Sequence, residues 1–593
     1  MYKNNKFTLI LPTVVAVSIA VGILLGGVVF KNTPPVPRRG NLVAPGSGKL
    51  NMLLSLIENR YVDTVSMDSI TEKTIPFILE ELDPHSVYVP AKDMAQMNES
   101  LDGEFDGIGV MFNMATDTVI VLNVINSGPS SKVGVLGGDR IITINDTVVA
   151  GVKMRQDEVM KRLRGPRGSK VKLGIQRVGV KDLVPITVTR GVIPIYCINA
   201  AYMIGPETGY IVFAQFSRNA HKELMDAVDR LKAQGMNKLI LDIRSNPGGF
   251  LDQAIEIANE FLPARKMIVY TVERGGEQSR QYSNGKGRLQ DIELAVLVDE
   301  GSASSSEILA GALQDNDRGT IIGRRTFGKG LVQEQIPFPD GSAVRLTIAR
   351  YYTPSGRSIQ KPYDKGSEDY NNDLMNRYEH NEMFSADSIH FADSLKYFTA
   401  GGRTVYGGGG IMPDRFVPAD TTDITPYLRE VTGRNILYRF TIEYADRHRN
   451  KLNRITTLPE LDAFFAKDPG LLSEFIRYAA RAGVAPKPSQ IERSKAIILS
   501  QIKAYVGRNT PLEDNAFYHA LQGIDSTVQQ ALKEMSAPKA EQALNTAEKK
   551  KKKSDRDHCC RGDRSDYPDC GRSKKTIART RGAYRRRPDR RGG

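Results

Sequence analysis

Three stretches of the 593-residue chain combine small residues with groups that could do chemistry. They are Asp242-Ile243-Arg244-Ser245-Asn246-Pro247-Gly248-Gly249, Gly301-Ser302-Ala303-Ser304-Ser305-Ser306-Glu307-Ile308, and Arg325-Thr326-Phe327-Gly328-Lys329-Gly330-Leu331-Val332-Gln333. A serine at a helix N-terminus suits a nucleophile, because the helix end and the next N–H stabilise developing negative charge. Glycines at a neighbouring strand end let backbone N–H groups approach the same point. A base is still needed. None of the seven histidines falls at a strand end in this region: His221 opens a helix and His85 lies far upstream. Lys329 can serve if burial lowers its pKa from about 10.4 to about 7–8, leaving the amine neutral.

These residues need a scaffold of alternating strands and helices, and the pattern from Thr208 to about Pro362 supplies one. Strands are predicted at 209–213, 239–243, 267–272, 294–298 and 320–323, with helices at 220–233, 253–261 and 306–313. The run Lys238-Leu-Ile-Leu-Asp242 shows no polar alternation, as expected of a sheet covered on both faces. A helix from Ser305 to about Asp315 runs about 16 Å away from its start. An extended return from about Gly319 to Lys329 spans about 30 Å, enough to bring the amine back to Ser304.

Outside this core the chain changes character several times. Residues 1–46 hold an uncharged run, Phe7 to Phe30, long enough for a bilayer core of about 30 Å, and then a Pro/Gly-rich linker. An uncleaved anchor with the body on the exported face is expected, which is the periplasm in a Gram-negative cell. Residues 47–101 repeat apolar side chains at helical spacing, broken at Leu82-Asp83-Pro84-His85-Ser86. Residues 102–190 turn to strand alternation, 191–422 form the core with a polar insertion near 364–400, and 423–545 are a helical accessory region without a chemical motif. Residues 546–593 form a basic tail: from Lys549 onward it carries 18 Lys/Arg against six Asp. Nearly all of the formal charge of +14 lies there, so the body is near neutral and no nucleic-acid partner is implied. The tail is too poor in apolar residues to fold alone. Cys197 is the one cysteine outside the tail, so the body holds no disulfide, and His558 with the tail cysteines matches no metal-finger spacing.

The order of elements in 102–190, with Gly107-Ile108-Gly109-Val110 at its start and Gly-Gly-Asp-Arg-Ile in its middle, resembles a PDZ domain. Such domains add an extended chain end as a strand and hold its carboxylate on loop N–H groups. From about Leu82 to Pro418 the chain resembles the carboxy-terminal processing (tail-specific) serine peptidases. The residues that carry the resemblance are Gly-Ser-Ala-Ser-Ser-Ser-Glu-Ile, Ala310-Gly311-Ala312-Leu313-Gln314-Asp315, Thr-Phe-Gly-Lys-Gly-x-Val-Gln, Tyr352-Thr353-Pro354-Ser355-Gly356-Arg357 and Gly410-Ile411-Met412-Pro413-Asp414. The resemblance implies a multidomain α+β protein: a PDZ domain and an α/β core of the crotonase/Clp kind, flanked by helical regions and the N-terminal membrane anchor. It places the nucleophile on Ser304, the general base on Lys329, the residue supporting the lysine on Gln333, and the oxyanion donors on Gly248, Gly249 and the Ser305 N–H. The family has Ala where this chain has Ser305. The implied activity is an endopeptidase with no metal or cofactor, acting on protein or peptide substrates with free C-termini, and a homo-oligomer is an open alternative. Nothing is carried onto the insertion or the tail.

Two look-alikes are set aside. Gly323-x-x-x-x-Gly328-Lys329-Gly330 lacks the P-loop Ser/Thr and is followed by strand rather than helix, and Ser283-x-x-Lys286 sits in a Gly-rich turn. An inactive PDZ scaffold is the alternative function, and a trypsin-like triad lacks its histidine.

Overall fold

The structure is a computed structural model that describes residues 47–114, 117–125, 128–177 and 179–536. The apolar run 7–30 and the basic tail lie outside the described residues. Among the described residues no helix is long and apolar enough to cross a membrane. Contacts divide the chain into one unit of residues 1–94 with 333–347, and a second of 95–332 with 348–593.

In the first unit, Ser66 opens the helix Met67–Glu80 by accepting the Ser69 N–H on its side chain, after an earlier helix Ser47–Arg60. Asp83 then turns the chain: its carboxylate accepts the N–H groups of His85 (2.8 Å) and Ser86 (3.0 Å) and the Ser86 hydroxyl (2.6 Å). Beyond this turn the purely helical reading of 47–101 needs correction. Val87–Val89 is a strand, paired antiparallel with Ala343–Arg345. Its partner lies some 250 residues away in sequence, which local periodicity does not reveal.

The second unit contains the PDZ-like sheet in the order Val110–Asn113, Val119–Val124, Arg140–Ile144, Lys170–Gln176, Val184–Thr189. Alternation sends Val171, Leu173 and Ile175 inward, against Val159 and Leu163 of the helix Gln156–Leu163. Buried Arg190 ends that helix by donating to the carbonyls of Arg162 (2.8 Å) and Leu163 (2.9 Å).

The peptidase-like core is a six-stranded sheet in the order Ile198–Met203, Thr208–Phe213, Lys238–Asp242, Glu293–Val298, Thr320–Gly323, Arg415–Phe416. The first pair is antiparallel and the rest are parallel. Helices Ala220–Lys232, Leu251–Phe261 and Ser305–Asp315 bury their apolar side chains in one cluster with the sheet. The opposite face, with Tyr210, Ile240, Ala295, Leu297 and Ile322, is covered by Val528, Ala531 and Met535 of the helix Ser526–Ser536. Both faces are therefore dry, which is why these strands read as unbroken apolar runs. The helical accessory region is thus not wholly separate: its last helix completes the core.

The strand predicted at 267–272 forms as Met267–Glu273 but belongs to a different sheet, pairing antiparallel with Gln278–Tyr282 and with Ala349–Tyr352. A short apolar run specifies a strand and leaves its partner open. Cys197 is free and buried, its sulfur 2.8 Å from the Ser217 hydroxyl.

Candidate active site

Two parallel strands end side by side, and their following loops are stitched into one corner. Asp299, after Glu293–Val298, accepts the N–H groups of Ser245 (2.7 Å) and Gly301 (3.0 Å). The Ser302 hydroxyl donates to the Ile243 carbonyl (2.8 Å). Buried Asn246 takes the Ala303 N–H (3.0 Å) and the Ser306 hydroxyl (2.9 Å) on its carbonyl, and its side chain donates to Phe213 O (2.8 Å). This lattice holds Ser304 at φ 53°, ψ −114°, immediately before the helix Ser305–Asp315. Left-handed backbone at a residue with a Cβ costs about 1–3 kcal/mol and persists only where the surroundings over-determine it.

Glu307 joins this corner to the lysine loop. It is fully buried, and its carboxylate accepts four hydrogen bonds. Oε2 takes the Ser304 N–H (3.0 Å) and the Lys329 N–H (2.8 Å); Oε1 takes the Thr326 hydroxyl (2.5 Å) and the Gly328 N–H (2.8 Å). One oxygen therefore fixes the main chain of the proposed nucleophile to that of the proposed base. Burial pushes the Glu307 pKa up to about 7, and the hydrogen bonds from Thr326, Lys329, Gly328 and Ser304 oppose that rise. Tyr351 provides a second tie: its buried hydroxyl donates to the carbonyl of Lys329 and lies 3.1 Å from that of Ser304. Burial, with Glu307 nearby, raises its pKa well above the usual value.

The glycine pair lies against the nucleophile. A Cβ on Gly248 would stand 2.8 Å from Ser304 Cβ and 2.9 Å from Ser305 N, and one on Gly249 would stand 2.1 Å from Phe216 O. Their φ values, 98° and 146°, also exclude a side chain. The expectation that Gly248 offers its N–H to an oxyanion needs correction, because that N–H donates to Asn246 Oδ1 (2.9 Å). The Gly249 and Ser305 N–H groups have no acceptor among the described residues. The Ser305 hydroxyl donates to the Gly249 carbonyl (2.9 Å) and so fastens the glycine turn to the helix start.

Two motifs far apart in sequence meet behind this helix. Arg357, fully buried, donates to Asp315 Oδ1 and Gln314 Oε1, each at 2.7 Å. Gln314 in turn donates to Asp414 (3.0 Å). Gln333 belongs to the first unit, where its amide donates to Thr347 Oγ1 (3.4 Å) and that hydroxyl donates to Asp83 (3.1 Å). The segment Gly107 to Val110 links two strands. Gly107 ends the strand Glu104–Gly107, Ile108 is buried, Gly109 has φ 73°, and Val110 starts the terminal strand of its sheet. A cleft lined by Glu99, Asp102, Asp106, Arg164, Arg167 and Arg218 opens beside it, and the Arg218 guanidinium lies 5.3 Å from the Phe250 ring, next to the glycine pair.

Sequence reasoning missed Glu307, Tyr351 and Asn246 as site-building residues. Glu307 and Asn246 stand inside the motifs already singled out; a buried acid one turn after a nucleophile was the available signal. Tyr351 had none.

Residues 207–366 match the model of peptidase family S41, residues 107–188 the PDZ domain model, and residues 427–510 a family of unknown function (DUF8443). The chain is similar to the carboxy-terminal-processing protease of Bartonella bacilliformis, at 37% identity over 51% of this chain and 70% of the relative. Similarity to the carboxyl-terminal-processing protease of Synechocystis is 37% over 49% and 69%. For the carboxy-terminal processing protease CtpB of Bacillus subtilis it is 34% over 53% and 65%.

Proposed function

The chain belongs to the carboxy-terminal-processing protease family, serine proteases of the S41 type with a PDZ domain, and from that premise we propose that Ser304 and Lys329 are its nucleophile and general base. The observation that carries this reading is the Glu307 oxygen shared by their two N–H groups. Lys329 Nζ, neutral, takes the proton from Ser304 Oγ as that oxygen attacks the scissile carbonyl. The oxyanion is received by the Ser305 and Gly249 N–H groups, at the positive end of a helix whose residues are all buried. The lysine then gives its proton to the leaving amine. In the second half it takes a proton from water, which attacks the acyl carbonyl, and returns that proton to Ser304 Oγ as the acyl–oxygen bond breaks and the new C-terminus leaves. The role of supporting the lysine is the one that the family resemblance assigns to Gln333.

The substrates we propose are exported proteins and peptides with free C-termini. The terminal carboxylate would dock on the N–H groups of Gly107 to Val110, and the preceding residues would add as a strand along Val110–Asn113, which among the described residues has a sheet partner on one edge only. The body would be held at the exported face of the membrane by the apolar run 7–30.

Cleavage of an unfolded reporter with an apolar C-terminus tests this. Wild type should cut it and Ser304→Ala should not. Amidating the reporter's terminus should lower kcat/KM about tenfold or more. Equal rates for acid and amide below saturation would remove the carboxylate loop from the reading, and cutting by Ser304→Ala would remove the nucleophile. Gln333→Ala should lower kcat about tenfold.

A further inference from the structure

The segment 364–400 looks solvated in sequence and begins where the S41 match ends, at residue 366. Most of it is exposed, but Tyr370, Arg377 and Thr399 are buried. Arg377, in the helix Asp373–Glu379, is 3% exposed, and Lys361, just before the segment, is 4% exposed. Charges are buried this deeply only when paired and hydrogen-bonded. Here Asp373 neutralises both: its Oδ2 lies 2.9 Å from Arg377 Nε and 3.1 Å from Lys361 Nζ.

The terminal nitrogens of the Arg377 guanidinium point at the loop that carries Lys329. Arg377 Nη1 donates to Thr326 O (2.8 Å), with Arg325 O at 3.4 Å, and Nη2 donates to Phe327 O (3.0 Å). The Lys361 ammonium donates to Tyr370 O (3.0 Å) and lies over the rings of Phe327 (4.1 Å) and Tyr370 (4.0 Å). Arg325 pairs with Glu382 of the same segment.

The loop Arg325–Gly330 is neither helix nor strand, so each buried N–H and C=O must find a partner elsewhere. The N–H groups do so on Ile411 O, Ser302 O, Glu307 and Gln360. The carbonyls of Gly328, Lys329 and Gly330 go to the Lys361 N–H, the Tyr351 hydroxyl and the Tyr351 N–H. The three preceding carbonyls face one guanidinium, that of Arg377, which donates most closely to Thr326 O. Without it the Thr326 carbonyl loses that donor, and the main chain on which Lys329 is mounted can move.

We propose that the 364–400 segment is a brace for the catalytic-lysine loop and that Arg377 is its positioning residue. This rests on the assignment of Lys329 as the base. The planar fork suits this role, since its two terminal nitrogens are held apart and reach successive carbonyls, whereas an ammonium offers its donors from a single nitrogen.

The full-length protein tests the proposal through reporter cleavage, inactivation by a small fluorophosphonate, and thermal unfolding. Arg377→Ala should lower kcat about 10- to 100-fold, the scale of a misplacement of about 1 Å, with KM within twofold of wild type. Its fluorophosphonate inactivation rate per folded molecule should fall in parallel. Arg377→Lys should recover part of kcat. Should Arg377→Ala not fold, Arg377→Lys and Asp373→Asn carry the test, each with a loss of about threefold or more in kcat at unchanged KM. Wild-type kcat and inactivation rates in the folded variants, or losses that merely follow the folded fraction, overturn the brace. Lys329→Ala separates the two levels: activity in that variant removes the base itself, whereas an inactive Lys329→Ala beside fully active Arg377 variants removes only the brace.

Discussion

Ser304 and Lys329 are mounted on different kinds of chain. The serine stands where a sheet strand passes into a buried helix, and its supports, Asn246, Asp299 and Ser302, lie at neighbouring strand ends of the same α/β pattern. The lysine hangs on an irregular loop whose supports, Tyr351, Gln360, Arg377 and Ile411, come from later in the chain. The serine corner is made by rules that every parallel sheet obeys; the lysine loop must be assembled by specific polar partners. Glu307 joins the two through their N–H groups, and Tyr351 reaches both carbonyls while donating most closely to that of Lys329. The comparison predicts that damage to shared groups is worst, damage on the lysine side intermediate, and damage on the serine side mild.

The largest effect is expected at Glu307. Glu307→Gln replaces an acceptor with an NH2 that must face N–H donors, so kcat should fall at least about 100-fold and stability by about 2–4 kcal/mol. Peptide kinetics and denaturant titration check both; near-normal kcat would mean that the two main chains need no common acceptor. The same group gives a pH signature. Its pKa in the fold, about 7, lies above the usual 4.5, so between these values the folded state binds the proton more tightly. Stability should therefore fall as pH rises from 4.5 to 7, by up to about 1.4 kcal/mol per pH unit for one proton. The difference between wild type and Glu307→Gln should isolate that slope, measured by urea unfolding across the range.

Tyr351→Phe removes the hydroxyl that reaches both carbonyls. It should cost about 1–2 kcal/mol and about tenfold in kcat, with KM little changed. Ser305→Ala, on the serine side, removes one tie to Gly249 but leaves the N–H; activity within about threefold of wild type and a loss near 1 kcal/mol are expected. A larger effect at Ser305 than at Tyr351 would reverse the ranking.

The features legible in the sequence divide along the same line. The bounds of Ser305–Asp315, the PDZ-like strand order and the small-residue corner could be read because they are local: a period, a turn residue, a helix start. Lys329 could be found by asking which base remained. Glu307 was visible as a letter of its motif, but its role depends on a loop 20 residues later coming back to it. Arg377 lay unmarked within the polar insertion because nothing local distinguishes a buried, paired arginine from an exposed one. The strand Val87–Val89 and the true sheet of Met267–Glu273 were hidden for a related reason, since pairing with a strand distant in sequence leaves no mark on periodicity.

The most direct test of the central claim is the activity of Lys329 variants that keep the fold. Lys329→Ala and Lys329→Arg, with native circular dichroism, should both lose reporter cleavage to the level of Ser304→Ala, because neither side chain can accept the serine proton at neutral pH. Cleavage above that level in either variant would contradict the Ser304–Lys329 dyad.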